Sequence, residues 1–163
     1  MKRFAFVFAC TALMVACATD YQDSGFTGGF SETLLSENVV KIHFRGNAYT
    51  SAERTSDFTL LRAAEFSLER GYSHFVILET NDWVKTSTQT TGGSTKTESS
   101  YNFETQKYEK HSVATSPKTV TTHKPRSELT IMMFGSKPDT EGLIFDANFI
   151  RESIRTKYEF QDQ

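Results

Sequence analysis

The side chains that most often perform chemistry in proteins are not spaced in this chain as they are in known active sites. No two histidines have the i, i+4 spacing that puts two metal ligands on one helix face; the four are His43, His74, His111 and His123. No serine lies in a Gly-x-Ser-x-Gly or Ser-x-x-Lys motif. Gly28-Gly29 lacks the lysine of a phosphate-binding loop. These patterns predict a protein that is not an enzyme and uses no cofactor or metal, with an unrecognised hydrolase as the alternative.

Charged residues on one predicted helix supply the next candidates. Arg62 and Glu65 stand three residues apart, and this spacing predicts an ion pair worth a few tenths of a kcal/mol when exposed. In the alternative, Arg62 reaches a carboxylate such as Glu32 or Asp57 and holds the N-terminal segment against the domain. Arginine stays protonated at neutral pH, so Arg62 is not predicted to act as a general base.

The amino terminus predicts export and lipidation. Met1-Lys2-Arg3 precedes an apolar run at residues 4–15, which is shorter than the roughly 20 residues of a membrane-spanning helix. Residues 1–16 are therefore expected to be a signal peptide. The stretch Leu13-Met14-Val15-Ala16-Cys17 at the end of this run resembles the lipobox of bacterial lipoproteins, where the cysteine is acylated with groups such as palmitate. An ordinary signal peptide with an incidental Cys17 and a buried N-terminal strand are the alternatives.

Lipidation at Cys17 would leave the mature chain without a free thiol. Cys10 would leave with the signal peptide, so no disulfide, zinc site or cysteine nucleophile is expected. Two or more acyl chains anchor a protein stably, whereas one chain binds only marginally. Ala18 follows the cysteine, and by resemblance to sorting in enteric bacteria it favours the outer membrane, with the domain facing the periplasm.

Composition favours one globular domain behind a short tether. The chain has 163 residues, of which 37% are hydrophobic and 23% charged, and its net charge at pH 7 is -2. This balance does not predict a nucleic-acid partner. Residues 17–36 are short, polar and glycine-bearing, and are expected to be a lipidated tether; in the alternative, Phe26, Phe30, Leu34 and Leu35 pack against the domain. Residues 37–163 are expected to form a single domain with an insertion at residues 85–126.

Hydrophobic periodicity predicts the elements of that domain. Thr50 and Glu53 have the spacing of a capping box at the start of the main helix, and Asp146 is positioned to cap the last helix. The predicted elements are strands at 38–45, 72–79 and 127–134 and helices at 51–70 and 147–158. The strand at 72–79 is expected to be buried on both faces. Whether the first two strands are parallel neighbours stays open, and if they are, His43 and His74 could form a metal pair.

The insertion at residues 85–126 differs in kind from the rest of the chain. It contains 17 serines and threonines among 42 residues, with 7 basic and 3 acidic residues, and it cannot bury a core of its own. Threonines on both sides of Gly92-Gly93 favour an extended hairpin turning at the glycines, and disorder is the alternative. The whole pattern predicts an α+β fold: a small sheet of about three to five strands, covered by two helices, with a long polar hairpin or loop.

Several short stretches resemble, in this order, a family of small uncharacterised lipoproteins of Gram-negative bacteria. They are Gly28-Gly29-Phe30-Ser31-Glu32, Phe44-Arg45-Gly46-Asn47 with Thr50, the segment DFTLLRAAE at residues 57–65, and Gly71-Tyr72. The resemblance implies a location in the cell envelope. It assigns no catalytic residue to this chain.

Two functional hypotheses follow for the mature protein. In the first, a non-enzymatic outer-membrane lipoprotein works through contacts with an envelope protein or an anionic glycan or lipid, made by residues 85–126. In the alternative, a periplasmic lipoprotein binds a small molecule or glycan in a pocket between the sheet and the main helix. Arg45, Arg62 and Trp83 are the candidate contacts of that pocket.

Overall fold

A computed structural model of the chain describes residues 18–102, 107–140 and 142–160, with side chains except at positions 98, 100–102, 107–111 and 113. The elements in chain order are β1 (Gly29–Leu34), β2 (Val39–Arg45), α1 (Ala52–Glu69), β3 (His74–Thr91), β4 (Thr95–Asn102), β5 (Lys107–Ala114), β6 (Lys118–Phe134), β7 (Ile144–Asp146) and α2 (Ala147–Lys157). The predicted signal peptide and Cys17 lie outside the described residues. None of the helices within these ranges is long and apolar enough to cross a bilayer.

Five strands form the main sheet, in the order β1-β2-β6-β3-β7. The β1–β2, β2–β6 and β3–β7 pairs are antiparallel. Because β6 lies between β2 and β3, the strand–helix–strand segment does not bring its two strands side by side. With two helices completing the domain, the predicted α+β fold with a small sheet is confirmed.

Alternation along the central strands builds the core. Val40, Ile42 and Phe44 of β2 are all 0% exposed, as the period-2 pattern predicted. On β6 the predicted apolar face is buried as well, and α1 supplies Leu61, Ala63 and Ala64 from the other side. In β3 only Phe75 is buried, so the prediction that this strand is buried on both faces is wrong. The helical layer covers one face of the sheet, and the other side chains of β3 are partly or fully exposed.

The helix ends follow local capping rules with one shift. Ser51, not Thr50, caps α1, and its side chain accepts a hydrogen bond from the Arg54 N–H at 3.1 Å. Gly71 follows α1 with a φ of +81°, the left-handed conformation expected of a C-terminal glycine. Asp146 caps α2 as predicted, accepting from the Phe149 N–H at 2.9 Å.

The predicted tether is part of the domain. Residues Gly29–Leu34 form β1, which pairs with β2 along its whole length. Thr19 is only 1% exposed, and the ring of Tyr21 packs 4.8 Å from that of Phe30. Of the predicted tether at residues 17–36, the part from Thr19 to Leu34 belongs to the domain, because paired backbone and packed aromatic rings fix this segment.

The chain divides into two compact units, and the second is smaller than the predicted insertion. One comprises the chain up to Lys85 and again from His123, and the other is Thr86–Thr122. Lys124 and Arg126 belong to the first unit, since Arg126 stands opposite Arg45 in the β2–β6 register. The Gly46 N–H also donates to the Pro125 carbonyl oxygen at 2.9 Å.

The unit Thr86–Thr122 consists of polar strands. It contains the end of β3, the start of β6, and a separate two-stranded sheet of β4 and β5. The predicted extended strands are present, and β4 pairs with β5. The turn was placed wrongly, however: Gly92 and Gly93 adopt φ values of +90° and +94° but connect β3 to β4, which pairs with β5 instead.

Candidate functional site

A cleft with a volume of about 380 Å³ opens where β2 ends. We call it the basic cleft. Its walls come from the loop before β1, the end of β2 with the residues after it, and β6; they are Gly25, Phe26, Thr27, Gly28, Arg45, Gly46, Asn47, Lys124 and Arg126. Phe26, at this cleft, is fully exposed.

Three cations line the basic cleft, and no carboxylate is among the described residues that form it. Arg45 and Arg126 are directly opposite each other on neighbouring antiparallel strands, a position in which like charges destabilise a sheet. Lys124 lies two residues before Arg126, so it emerges from the same face of β6. The cleft therefore concentrates positive charge that nothing in its own wall neutralises.

The hydrogen bonding of the two arginines differs. One guanidinium nitrogen of Arg45 donates to the Ser24 hydroxyl and, at 3.4 Å, to the Gly25 carbonyl oxygen, which holds the loop against β2. The Nε of Arg126 is buried and has no hydrogen-bond partner in the part of the chain that the structure describes. An unpaired buried donor costs free energy.

Glycines allow the walls of the cleft to approach. Gly28 has a φ of +117°, and a Cβ at this position would lie 2.2 Å from the Arg45 carbonyl oxygen. A Cβ at Gly46 would lie 3.1 Å from the Pro125 ring. No larger residue fits at Gly28 without moving backbone, so the loop and the end of β2 meet only because this residue is glycine.

Trp83 lines a second, smaller cleft of about 130 Å³ that also includes Pro125 and Arg126. Its ring lies 5.5 Å from that of His43. Burial lowers the pKa of His43, against the opposing attraction of Glu128. Glu128 lies 3.1 Å from Lys41 and 3.6 Å from His43, so Lys41 on β2 has an acidic neighbour of a kind that the basic cleft lacks.

Arg62 and Glu65 do not pair, and the predicted ion pair is wrong. Arg62 bonds Glu32 on β1 and, at 2.7 Å, Glu69, which lies two turns along the same helix face. Glu65 faces α2 instead, accepting from Arg155 at 3.1 Å and from the Tyr21 hydroxyl. The structure shows the alternative arrangement, in which Arg62 reaches Glu32. These contacts hold the N-terminal segment against α1, and none lines the basic cleft.

The carboxylates near the start of α1 bond the end of α2. Lys157 donates to Asp57 at 2.7 Å, and the Tyr158 hydroxyl donates to the same Asp57 carboxylate, also at 2.7 Å. Burial, helped by this hydrogen bond, raises the pKa of Tyr158 to about 12. Loss of the Tyr158 proton at alkaline pH would therefore remove the hydrogen bond that joins the end of α2 to Asp57 of α1.

The raised pKa of Tyr158 predicts a loss of stability in alkali. The unfolded chain releases this proton near pH 10, while the folded chain keeps it to about pH 12. The stabilisation is complete below pH 10 and is lost as the pH rises towards 12. We expect Tyr158→Phe to flatten the fall in urea stability over this range, whereas Tyr49→Phe, at an exposed tyrosine, leaves it unchanged. Parallel falls in all three proteins would contradict this assignment.

The hypothesis of a histidine metal pair is wrong, because β6 separates the strands that carry His43 and His74. Within residues 18–102, 107–140 and 142–160, no group of three or more histidine, cysteine or acidic side chains is arranged to hold a metal ion.

The pocket expected between the sheet and the main helix is filled by core side chains. Val40, Ala64 and Ile131 are among the 0% exposed residues that occupy this space. Of its three candidate contacts, Arg45 lines the basic cleft and Trp83 the smaller one, while Arg62 lines neither. Lys124, Arg126 and Phe26 were not among the predicted site residues. The only local signal was the Lys124-Pro125-Arg126 tripeptide, which was assigned to the insertion.

Comparisons with models of protein families, with curated proteins and with solved structures found no match to this chain.

Proposed function

We propose that this chain is a non-enzymatic lipoprotein, anchored in the outer membrane through acylated Cys17 and facing the periplasm, and that it works through contacts with other envelope components. The basic amino terminus, the short apolar run and the cysteine after Ala16 support the anchor. This order of features also resembles that of a family of small Gram-negative lipoproteins. The core beneath α1 is filled, so binding surfaces have to be sought at the edges of the domain.

The observation that carries this proposal is the exposure of the second unit. Every side chain that the structure describes from residue 86 to residue 121 is exposed, so the described positions of these strands bury no core. Strands with unpaired edges are templates for pairing with another chain. We therefore assign the contact with an envelope protein to Thr86–Thr122.

Most of the excess positive charge of residues 85–126 lies in the first unit. Residues 85–126 carry 7 basic and 3 acidic residues, but Lys85, Lys124 and Arg126 belong to the first unit. Thr86–Thr122 keeps 4 basic and 3 acidic residues and is nearly neutral. A neutral polar strand pair suits a protein partner better than a polyanion.

In-cell crosslinking with pull-down tests this proposal. The intact protein is compared with a variant lacking Thr86–Thr122 and with one in which a Gly/Ser segment of equal length replaces it. We expect one envelope protein to be captured by the intact chain and lost from both variants, while both variants still unfold cooperatively. A partner retained by the variants, or none captured by any form, would overturn the assignment. Labelled palmitate incorporation, with Cys17→Ala as the control, tests the anchor separately.

A further inference from the structure

Thr19, near the start of the described chain, contacts two residues in the wall of the basic cleft. The Thr19 N–H donates to the Thr50 hydroxyl at 2.8 Å, and the Thr19 hydroxyl donates to the Thr27 carbonyl oxygen at 3.0 Å. The same hydroxyl accepts from the Asn47 N–H at 2.8 Å. Thr27 and Asn47 both line the cleft. Thr19 is therefore a buried fixing point for the chain, in contact with the wall of the cleft.

Only Ala18 separates Thr19 from Cys17. Two residues of fully extended chain span about 7 Å. The headgroup layer of a bilayer is about 5–7 Å thick on each side of the hydrocarbon core. An acyl anchor on Cys17 thus leaves no slack for the domain to move away from the membrane, and it places the wall of the basic cleft at headgroup depth.

The side chains around the cleft have the chemistry of a membrane interface. Phe26 is fully exposed, and aromatic side chains are favoured where hydrocarbon meets headgroups. Arg45, Lys124 and Arg126 supply the charge, and guanidinium groups bind phosphate through paired hydrogen bonds. A phosphate group would relieve the repulsion between the facing arginines.

We infer that the basic cleft binds the phosphate of an anionic phospholipid headgroup in the leaflet that holds Cys17, with Phe26 inserted beside it. This inference rests on the lipid anchor of the proposed function. It adds a second, non-covalent attachment that fixes which face of the domain lies on the bilayer. An acylated chain that swings freely presents its surfaces at random, whereas a domain held at two points presents one set of surfaces to its partners.

Fluorescence quenching in vesicles tests the inference on the full-length, lipidated protein. The single tryptophan is first removed by Trp83→Phe, and Phe26→Trp then places an indole beside the cleft. The vesicles are phosphatidylcholine with brominated acyl chains, with or without phosphatidylglycerol. Lys124→Gln with Arg126→Gln is the test pair. Lys118→Gln with Lys137→Gln is the matched control, because it removes two exposed charges outside the cleft.

We expect strong quenching of the indole in vesicles that contain phosphatidylglycerol. Each basic residue near an anionic surface is worth about 1 kcal/mol, so the test pair should lower the docked-to-undocked ratio about 30-fold. The control pair should leave quenching unchanged. Equal quenching in the test and control pairs would overturn the inference.

A second arm separates the lipid from free phosphate. The same protein in non-ionic detergent is titrated with inorganic phosphate. Saturable phosphate binding that requires Lys124 and Arg126, without a cleft-dependent effect in vesicles, would show a soluble-anion site and overturn the lipid assignment. Palmitate labelling distinguishes the two failures. An unlabelled Cys17 refutes the anchor, whereas a labelled protein with unchanged quenching refutes only the role of the cleft.

Discussion

Phe58→Ala is expected to lower the free energy of unfolding by about 3–5 kcal/mol, the usual cost of emptying a buried phenylalanine site. Phe58 is 0% exposed, and its ring centroid lies 5.0–5.5 Å from those of Tyr21, Phe44, Tyr158 and Phe160. These rings come from the N-terminal segment, β2 and the end of the chain. Phe58 of α1 therefore joins three parts of the domain. No neighbouring ring can fill the cavity left by Phe58→Ala without losing contacts of its own.

Phe149→Ala is the matched control, because Phe149 lies on a helix but is 71% exposed. Its loss should stay within about 0.5 kcal/mol. Urea unfolding of both variants measures the difference. Similar losses at the two positions would mean that the aromatic cluster does not hold the segments together in solution.

Gly28→Ala is expected to lower the free energy of unfolding by about 2–5 kcal/mol, from two sources that add. The residue has a φ of +117°, which an L side chain rarely adopts, and its Cβ would overlap the Arg45 carbonyl oxygen at 2.2 Å. Left-handed backbone costs about 1–2 kcal/mol, and overpacking against fixed atoms about 1–3 kcal/mol. Relief requires the loop to move off β2, so residues around Thr19 should also become sensitive to limited proteolysis.

Gly71→Ala separates the two sources. Gly71 has a φ of +81°, but a Cβ there would meet nothing within 4 Å. Only the backbone cost of about 1–2 kcal/mol should remain, with no new cleavage near Thr19. If both variants lose the same free energy in urea, the contact of Gly28 with β2 contributes nothing and the loop is not held as described.

Elements whose cause is local were predictable from the sequence. The alternation in β2 and the cap at Asp146 depend on residues within a few positions of each other, and both are confirmed. β1 was missed because the segment is polar and its order comes from pairing with β2. Thr19 was missed for a related reason, since hydrogen bonds to distant polar groups bury it rather than a hydrophobic pattern.

The basic cleft was hidden for a topological reason. Arg45 was a candidate, but its partner across the strands, Arg126, lies 81 positions later in the chain. The sequence offered no means of finding this register, because β6 enters between two strands that the helix connects. The sequence analysis therefore counted Lys124 and Arg126 in the charge of the insertion, although both residues line the basic cleft.

The place of β6 in the sheet also has a consequence for the rate of folding. Val39 pairs with Met132, 93 positions along the chain, so the centre of the sheet forms only after a long loop has closed. Pairings this distant slow folding, because closure entropy is lost before the contacts form. Removing Thr86–Thr122 would shorten the loop to 56 positions and lower the closure cost by about 0.5 kcal/mol. The inserted unit should thus make refolding about twofold slower than in a chain without it.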